Sequence, residues 1–375
     1  MPIELSIRTI TDFLSVSISL FLALHFLTQK SGNRKANIFI GLFFIQLGLS
    51  VLFVQLERPE FENLWSNLLW LPILSPFLQI PLLLFYANSL TLGKKPKDNL
   101  WILIPGGLEF IIRTIFLFLE FDYPLYKNSF FQDFIFYTNF FSLAFNIWLL
   151  DWILIIIKEH NKNILTYFSS IDNKTLNWLK NITLIMLGFH IIWLIDDSGQ
   201  LLFEGNIISM FIADFSDYAT FLTVCWIGLQ GLKQPNIYIS ENNEIPDIET
   251  TSIKQDDQLL IEEKDIYNQL LGLLKNEKLY CNIELTLRNL SDSLKTKEKI
   301  LSRAINMESG TNFYQLINKY RVQHFKYLLD NNTHPNLSLL GLAQESGFKS
   351  KSTFYDAFKK IEGITPKQYE VMLTK

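Results

Sequence analysis

Charged side chains interrupt several of the most apolar stretches of this sequence of 375 residues. Glu109 and Arg113 stand four residues apart, so both would lie on one face of a helix. Asp214 and Asp217 stand three apart and would share a face in the same way. Charges at the depth of a bilayer are costly and usually face a bundle interior or a cavity. With His190, these residues could line a polar pocket that senses a signal, or they could only join neighbouring helices.

The residue patterns that catalysis requires are missing from the sequence. No metal-ligand spacing, nucleophile elbow or phosphate-binding loop occurs. The two cysteines, Cys225 and Cys281, are too few for a disulfide framework and for a metal site built on thiolates. We therefore expect no enzyme activity, no catalytic residue, no metal and no cofactor.

Seven apolar stretches are long enough for a membrane helix, which needs roughly 20 mostly apolar residues. Three prolines in the third stretch, Pro72, Pro76 and Pro81, predict kinks. No small-residue cleavage site follows the first stretch, so we expect it to remain as a helix rather than to be removed as a signal peptide. The predicted segments are 10–28, 36–56, 64–92, 100–120, 134–157, 177–202 and 205–232.

The loops between these segments differ in their content of Lys and Arg. On one predicted side, the region before the first segment and the loops after the second, fourth and sixth hold three such residues, Arg8, Arg58 and Lys127. The positive-inside rule then places the N-terminus outside and the C-terminus in the cytoplasm. We therefore predict a multi-pass protein of a bacterial inner membrane, with the lipid bilayer as a partner. The nine residues on the other side are Lys30, Arg34, Lys35, Lys94, Lys95, Lys97, Lys158, Lys162 and Lys174.

Charge also changes sign along the chain. The formal net charge is −4, yet residues 285–375 hold 14 Lys and Arg against 8 Asp and Glu, an excess of +6. Such a local basic excess suits a module that binds phosphates. Residues 233–260 are acidic and contain two prolines, which is typical of a flexible linker. We therefore predict a seven-helix sensor domain over 1–232, a linker over 233–260, a connector over 261–284 and a DNA-binding domain over 285–375.

The predicted connector contains an amphipathic helix over 261–278. Its apolar stripe consists of Ile266, Leu270, Leu273 and Leu274. Two roles are open for this stripe: packing on the domain that follows, or pairing with a second protomer.

Two similar helix–turn–helix patterns follow the connector. In the first, Thr286 can cap a helix that a short turn joins to a second helix. In the second, Ser338 and Ser350 can cap the two helices, and Gly347 allows a left-handed turn between them. A long helix over about 312–330 would join the two patterns. In such a unit the second helix enters the major groove of DNA by its N-terminal end.

Residues 285–375 resemble the two-unit DNA-binding domain of the AraC/XylS family of bacterial transcription regulators. The most specific run is LAQESGFKSKSTFYDAFKKIEGITPKQY, residues 342–369. The whole layout also resembles membrane-embedded regulators of that family. We therefore expect an all-α fold, with a seven-helix transmembrane bundle followed by a cytoplasmic two-unit helix–turn–helix domain. The family signature is matched at Ala343, Gly347–Phe348, Ser350, Ser352–Thr353–Phe354, Phe358–Lys359, Gly363 and Thr365–Pro366.

The resemblance implies which residues meet DNA, because base readers of the family lie near the start of each second helix. Arg303 and Lys299 could donate to guanine, and Asp356 could accept from cytosine. The alternative for each residue is a solvated face. The base-reading positions hold Lys299, Ser302 and Arg303 in the first unit, and Lys351, Ser352, Tyr355 and Asp356 in the second. The residues better placed for phosphates, which fix register, are Thr353, Lys359 and Lys360.

Two residues depart from the family pattern in the first unit, and one of them is Ser291, which stands where Ala is usual in the first helix. Lys297 stands where the cap of the second helix is usual, and Thr296 precedes it. We therefore expect the cap to shift to Thr296, which leaves the direction of Lys299 open by part of a turn.

Three functions are compatible with this layout. The first is a membrane-bound, sequence-specific transcription regulator that senses a small-molecule or membrane signal of unknown identity and binds double-stranded promoter DNA. The second is a transporter or channel with an autoregulatory DNA-binding tail, although the membrane part shows no internal repeat. The third is a regulator whose membrane part is a passive anchor. We expect RNA polymerase as a partner, and a homodimer is one option.

Overall fold

A computed structural model describes residues 7–29, 33–56, 75–91, 96–120, 129–172, 174–202, 207–232, 257–331, 333–334 and 336–373. Contacts divide the chain into two compact units. The first comprises Met1–Lys158 and Leu176–Glu244, and the second comprises Glu159–Thr175 and Ile245–Lys375. The segment Glu159–Thr175 therefore groups with the C-terminal residues, although it lies between two predicted membrane segments in the sequence.

The described part of the first unit is built from α-helices and one 3-10 helix, Pro96–Leu103. Of these, α5 is the longest, with 39 residues, and its last residues belong to the second unit. The helices are α1 (Ile7–Thr28), α2 (Arg34–Leu56), α3 (Gln79–Leu90), α4 (Ile104–Glu120), α5 (Ser129–Tyr167), α6 (Asn177–Leu202) and α7 (Ile207–Leu232).

Apolar side chains cover both the inner and the outer faces of these helices. Phe43 and Leu83 are fully buried in the core, whereas Phe21, Phe118 and Leu222 are more than 60% exposed. A helix that is apolar all round is typical of a membrane span. Five stretches of the described residues are long and apolar enough to cross a membrane: Thr9–Thr28, Arg34–Leu52, Asn99–Leu119, Phe136–Tyr167 and Asn177–Ile195.

The predicted count of seven membrane segments is not confirmed. The third predicted segment, 64–92, lies partly outside the described residues, and the helix described within it, α3, has 12 residues. The seventh, 205–232, forms α7, in which the apolar stretch found is the shorter Tyr218–Leu229. Pro81 lies in the first turn of α3, where its missing N–H costs no helical hydrogen bond.

The second unit contains a further series of helices, and the predicted helix–turn–helix patterns are confirmed in it. Thr286, Ser338 and Ser350 each accept a hydrogen bond from the backbone N–H three residues later, at 3.2 Å. The helices are α8 (Asp257–Glu277), α9 (Leu287–Ser293), α10 (Glu298–Ser309), α11 (Phe313–Asp330), α12 (Leu339–Glu345), α13 (Lys351–Glu362) and α14 (Pro366–Leu373).

Helix α11 joins two hydrophobic clusters, one for each helix–turn–helix. Phe313 and Ile317 belong to the first cluster, and Phe325 belongs to the second. The stripe of α8, including Leu270 and Leu274, is buried in the first cluster. Packing on its own domain is therefore the role that the structure shows for this stripe. The predicted linker falls outside the described residues as far as residue 256.

The cap of α10 differs from its prediction. The helix begins at Glu298 with Lys297 at the N-cap, and the side chain of Lys297 makes no capping hydrogen bond. The expected shift to Thr296 is wrong, because the backbone N–H of Thr296 closes the preceding turn by donating to the carbonyl oxygen of Ser291 at 2.9 Å. Lys295 completes that turn with a left-handed φ of 53°.

Candidate nucleic-acid interface

Gly347 forms the turn between α12 and α13 and fixes how the two helices meet. Its φ is +93°, a left-handed conformation that residues with a Cβ rarely adopt. A Cβ at this position would also collide with the carbonyl oxygen of Tyr280 and lie 2.9 Å from Nε of Arg321. The predicted glycine turn is confirmed, and close packing is a second reason for glycine here.

Helix α13 separates a core face from a polar face. Phe354 and Phe358 pack against Phe325, with ring centroids 4.6 Å and 5.6 Å from it. Of the predicted contact residues on this helix, Thr353 is buried and Tyr355 is half-buried. The remaining five, which are exposed, are Lys351, Ser352, Asp356, Lys359 and Lys360. A nucleic acid could reach these five without any rearrangement of the core, and their contacts with DNA stay predictions.

The first helix–turn–helix presents fewer free hydrogen-bond donors than the second. Lys299 on α10 is exposed, whereas Ser302 and Arg303 are half-exposed. The guanidinium of Arg303 pairs with the carboxylate of Glu263 on α8, and Glu263 is buried. Arg303 must leave or share this ion pair to donate to a guanine, so its role as a base reader stays a prediction.

Arg321 on α11 is a fully buried cation that organises the second unit. Its guanidinium donates to the carbonyl oxygens of Tyr280 at 2.8 Å and Asn282 at 2.9 Å. It also donates to the carbonyl oxygen of Ser169 at 2.8 Å and to the hydroxyl oxygen of Ser169 at 3.0 Å. Burial lowers the pKa of Arg321 to about 10, so the side chain keeps its charge at neutral pH.

The segment Glu159–Thr175 is also joined by backbone contacts to the residues just before α9. Phe168 and Thr286 form an isolated antiparallel bridge, and the N–H of Ser169 donates to the carbonyl oxygen of Leu285 at 3.2 Å. Ser169 is fully buried as a result. The segment is therefore part of the fold of the second unit, held by backbone as well as side-chain bonds.

Asp172, at the end of this segment, reaches the start of α13. Its Oδ1 accepts from the hydroxyl of Ser350 at 2.9 Å and from the hydroxyl of Thr353 at 2.7 Å. Ser350 is the cap of the helix, and Thr353 is one of the predicted phosphate contacts. A carboxylate of the same chain therefore engages a residue that was predicted to hold DNA.

A second acid links the segment to the turn that precedes α13. Glu284 accepts a hydrogen bond from Lys349 at 2.5 Å and lies 3.6 Å from Nζ of Lys174. The hydrogen bond from Lys349 is the main cause that lowers the pKa of the Glu284 carboxyl. Lys349 is exposed but paired with Glu284, so it is less available to a phosphate than the lysines of α13.

Sequence reasoning missed the roles of Arg321, Ser169 and Asp172. A signal for Arg321 was present, because this arginine stands among the buried positions Ile317, Val322 and Phe325 of one helix. Nothing in the local pattern around Asp172 indicates its partners, which lie 178 and 181 positions later in the chain.

Two of the five residues predicted to line a sensor pocket contact each other in the structure. Glu109 and Arg113 are both buried and form an ion pair at 2.6 Å, as their spacing predicted, and the hydroxyl of Ser75 also donates to Glu109. A cavity of about 570 Å³ beside Glu109 is lined mostly by apolar side chains, and His190 is not part of its lining. Within its own helix, Nδ1 of His190 contacts the carbonyl oxygen of Met186 at 2.8 Å. The side chains of Asp214 and Asp217 lie outside the described residues.

Comparison with known proteins bears on the C-terminal part. A family described as "Helix-turn-helix domain" matches residues 290–371. The chain carries a C-terminal helix–turn–helix domain of the AraC type. An uncharacterised HTH-type transcriptional regulator of Staphylococcus aureus strain COL is 30% identical over 105 residues, and another from Staphylococcus aureus is 32% identical over 105 residues. Each match covers 28% of this chain and 13% of the relative. No solved structure matches the chain significantly.

The AraC-type domain coincides with the helices just described. Its matched range begins at Leu290 on α9 and ends at Val371 on α14, so it includes both helix–turn–helix units and α11 between them. The match and its curated relatives support a DNA-binding transcription regulator. The relatives are matched over a small part of their length, so what the rest of this chain does is a separate question.

Proposed function

We propose that this protein is a membrane-bound, sequence-specific transcription regulator that changes its promoter binding in response to a signal at the membrane. The observation that carries the proposal is the exposed polar face of α13. Ser350 caps the start of this helix, and the opposite face packs into an aromatic core. In a helix–turn–helix the exposed face enters the major groove.

Each helix–turn–helix would read one part of the DNA site. In the second helix–turn–helix, Lys351 and Ser352 would contact base edges and Asp356 would accept a hydrogen bond from cytosine N4. Lys359 and Lys360 would bind phosphates and so fix the register of the domain on the duplex. In the first helix–turn–helix, Lys299 would donate a hydrogen bond to guanine. Arg303 would do the same once its ion pair with Glu263 is broken. RNA polymerase would be the partner that such a regulator recruits or blocks.

The apolar helices support insertion in a bacterial inner membrane. Five stretches have sufficient length and hydropathy, and lysines and arginines concentrate in the loops predicted to face the cytoplasm. Reporter fusions test this topology. A fusion in the 57–63 loop should report an outside location and one in the 93–99 loop an inside location; the opposite result would contradict the orientation.

The buried Glu109–Arg113 pair beside the cavity supports a sensing role for the membrane part. Glu109 in a mostly apolar wall gives a small amphipathic ligand both a hydrophobic surface and a hydrogen-bonding group. Sensing would alter the proximity of protomers or the state of the DNA-binding unit. A passive anchor would give the same DNA binding with every ligand, and a transporter would move substrate in proteoliposomes.

A matched pair of variants tests DNA recognition. Lys351→Ala should weaken the binding of the full chain to a chromosomal site mapped in cells, because it removes an exposed donor at the start of α13. Lys264→Ala removes the same charge from an exposed position on α8 and should bind like the unmodified protein. Equal affinities of Lys351→Ala and Lys264→Ala would contradict the assignment of α13 as a recognition helix.

A further inference from the structure

We propose that the segment Glu159–Thr175 is an internal inhibitor of DNA binding, in which Asp172 takes the place of a DNA phosphate at the start of α13. The inference rests on the proposed function of the second unit as a DNA reader. It adds an occupant for the DNA-binding surface, namely a part of the same chain.

The start of α13 is an anion-binding position that the chain itself fills. The first N–H groups of a helix carry partial positive charge and attract phosphates and carboxylates. The hydroxyls of Ser350 and Thr353 add two donors, and both point at Oδ1 of Asp172, at 2.9 Å and 2.7 Å. Hydrogen bonds to a charged acceptor are stronger than neutral ones. A phosphate that used Thr353 would therefore have to displace Asp172.

The position of Asp172 is fixed by contacts of Ser169, three residues earlier in the segment. Arg321 donates twice to Ser169, and the N–H of Ser169 donates to Leu285. Ser169 and Ser170 are both buried. A segment anchored in this way loses little further entropy when Asp172 binds the helix start, so the carboxylate competes with DNA at a high effective concentration.

At both of its ends, the segment continues in sequence into the first compact unit. Helix α5 ends at Tyr167 within the segment, and α6 begins at Asn177 just beyond it. A change in α5 or α6 would therefore act on the docked segment without passing through the linker 233–260. By linkage, a ligand of the first unit that favours release of the segment strengthens DNA binding, and DNA strengthens the binding of that ligand by the same factor.

The first test compares charge-matched variants of the full chain in detergent or nanodiscs. Asp172→Ala should bind a short duplex containing a mapped site about fivefold to thirtyfold more tightly, because loss of one or two net hydrogen bonds opens the docked state by such a factor. Asp265→Ala removes the same charge from an exposed position on α8 and should bind like the unmodified chain.

A second variant separates docking from charge. Ser169→Ala is neutral and removes a hydroxyl oxygen that accepts from Arg321. It should also tighten DNA binding, by a smaller factor than Asp172→Ala. If Asp172→Ala tightens binding and Ser169→Ala does not, electrostatic repulsion of DNA by Asp172 explains the effect and the docking proposal is overturned.

Hydrogen exchange of the unmodified chain gives a test that needs no variant. The Ser169 amide should be protected without DNA, since it donates to the carbonyl oxygen of Leu285, and should exchange faster once DNA is bound. Unchanged protection on DNA binding would overturn the inference while leaving the proposed function intact. Failure of the unmodified chain and of Asp172→Ala to bind any chromosomal fragment would overturn both.

Discussion

The two recognition helices are each engaged by a carboxylate, but the two carboxylates come from different parts of the chain. In the first helix–turn–helix, Arg303 pairs with Glu263, which lies 40 positions earlier in the chain on the adjoining helix α8. Asp172, which accepts from Ser350 at the start of α13, is 178 positions before Ser350 and belongs to a segment that the chain connects to helices of the first compact unit. We infer that the first recognition helix is held by its own domain, whereas the second is open to control from the first compact unit through the chain connection.

The N-terminal caps of the two recognition helices, α10 and α13, also differ. Ser350 caps α13 and is shared with Asp172, whereas α10 begins at Lys297 with no capping side chain. A cap that also binds an acid can respond to release of that acid.

Removal of the buried guanidinium of Arg321 should have the largest effect, which is a loss of stability of the second compact unit. Arg321→Met leaves the carbonyl oxygens of Tyr280, Asn282 and Ser169 without their donor, and unsatisfied buried acceptors cost roughly 3 kcal/mol or more together. The free energy of unfolding of the second unit should fall by that amount, as measured by hydrogen exchange in denaturant. Lys319→Met, at an exposed position of the same helix, should change it little. Equal effects of the two variants would show that Arg321 does not organise the unit.

A pair of glycine variants tests how closely the second turn is packed. Gly347→Ala and Gly363→Ala both force alanine to a positive φ, which costs about 1–2 kcal/mol. At Gly347 the added methyl also meets Tyr280 and Arg321, whereas the space around Gly363 is open. Gly347→Ala should therefore lower the free energy of unfolding by about 1–3 kcal/mol more than Gly363→Ala. Similar costs at the two positions would rule out the close packing.

DNA binding distinguishes the two recognition helices directly. Arg303→Ala should weaken binding at one part of the site by roughly 1–3 kcal/mol, provided that Arg303 reaches a guanine from its ion pair. Glu263→Gln would then preserve or improve binding, because it frees the guanidinium. Titrations on a footprinted site give both values. Unchanged binding of Arg303→Ala would assign this arginine to the packing of α8 on α10 instead.

The smallest expected effect concerns a phosphate contact. Lys360→Ala should weaken binding to specific and unrelated duplexes alike, and should reduce the slope of log affinity against log salt by about 1. A loss confined to one sequence would mean that Lys360 reads bases.

Local chemistry explains which features the sequence could predict. Thr286, Ser338, Ser350 and Gly347 act within a few residues of their own positions, and all four have the predicted roles. The cap of α10 was misplaced because the turn before it depends on Lys295, a residue with no strong preference for a left-handed conformation.

Long-range contacts account for what the sequence could not predict. The partners of Asp172 and Arg321 lie far away in the chain, so no local pattern records them. The spacing of Glu109 and Arg113 predicted their ion pair because one helix turn suffices, whereas a shared pocket with His190 required several helices to meet. That pocket stays a prediction.

We propose that this chain reads DNA with its two helix–turn–helix units while it is inserted in a membrane. The most direct test is footprinting of mapped chromosomal sites with the full chain in nanodiscs. We expect two protected patches about one helical turn apart on the same face of the duplex. Lys351→Ala should weaken one patch, and Lys299→Ala the other. Protection that is independent of sequence, or a single patch that both variants weaken equally, would contradict the account.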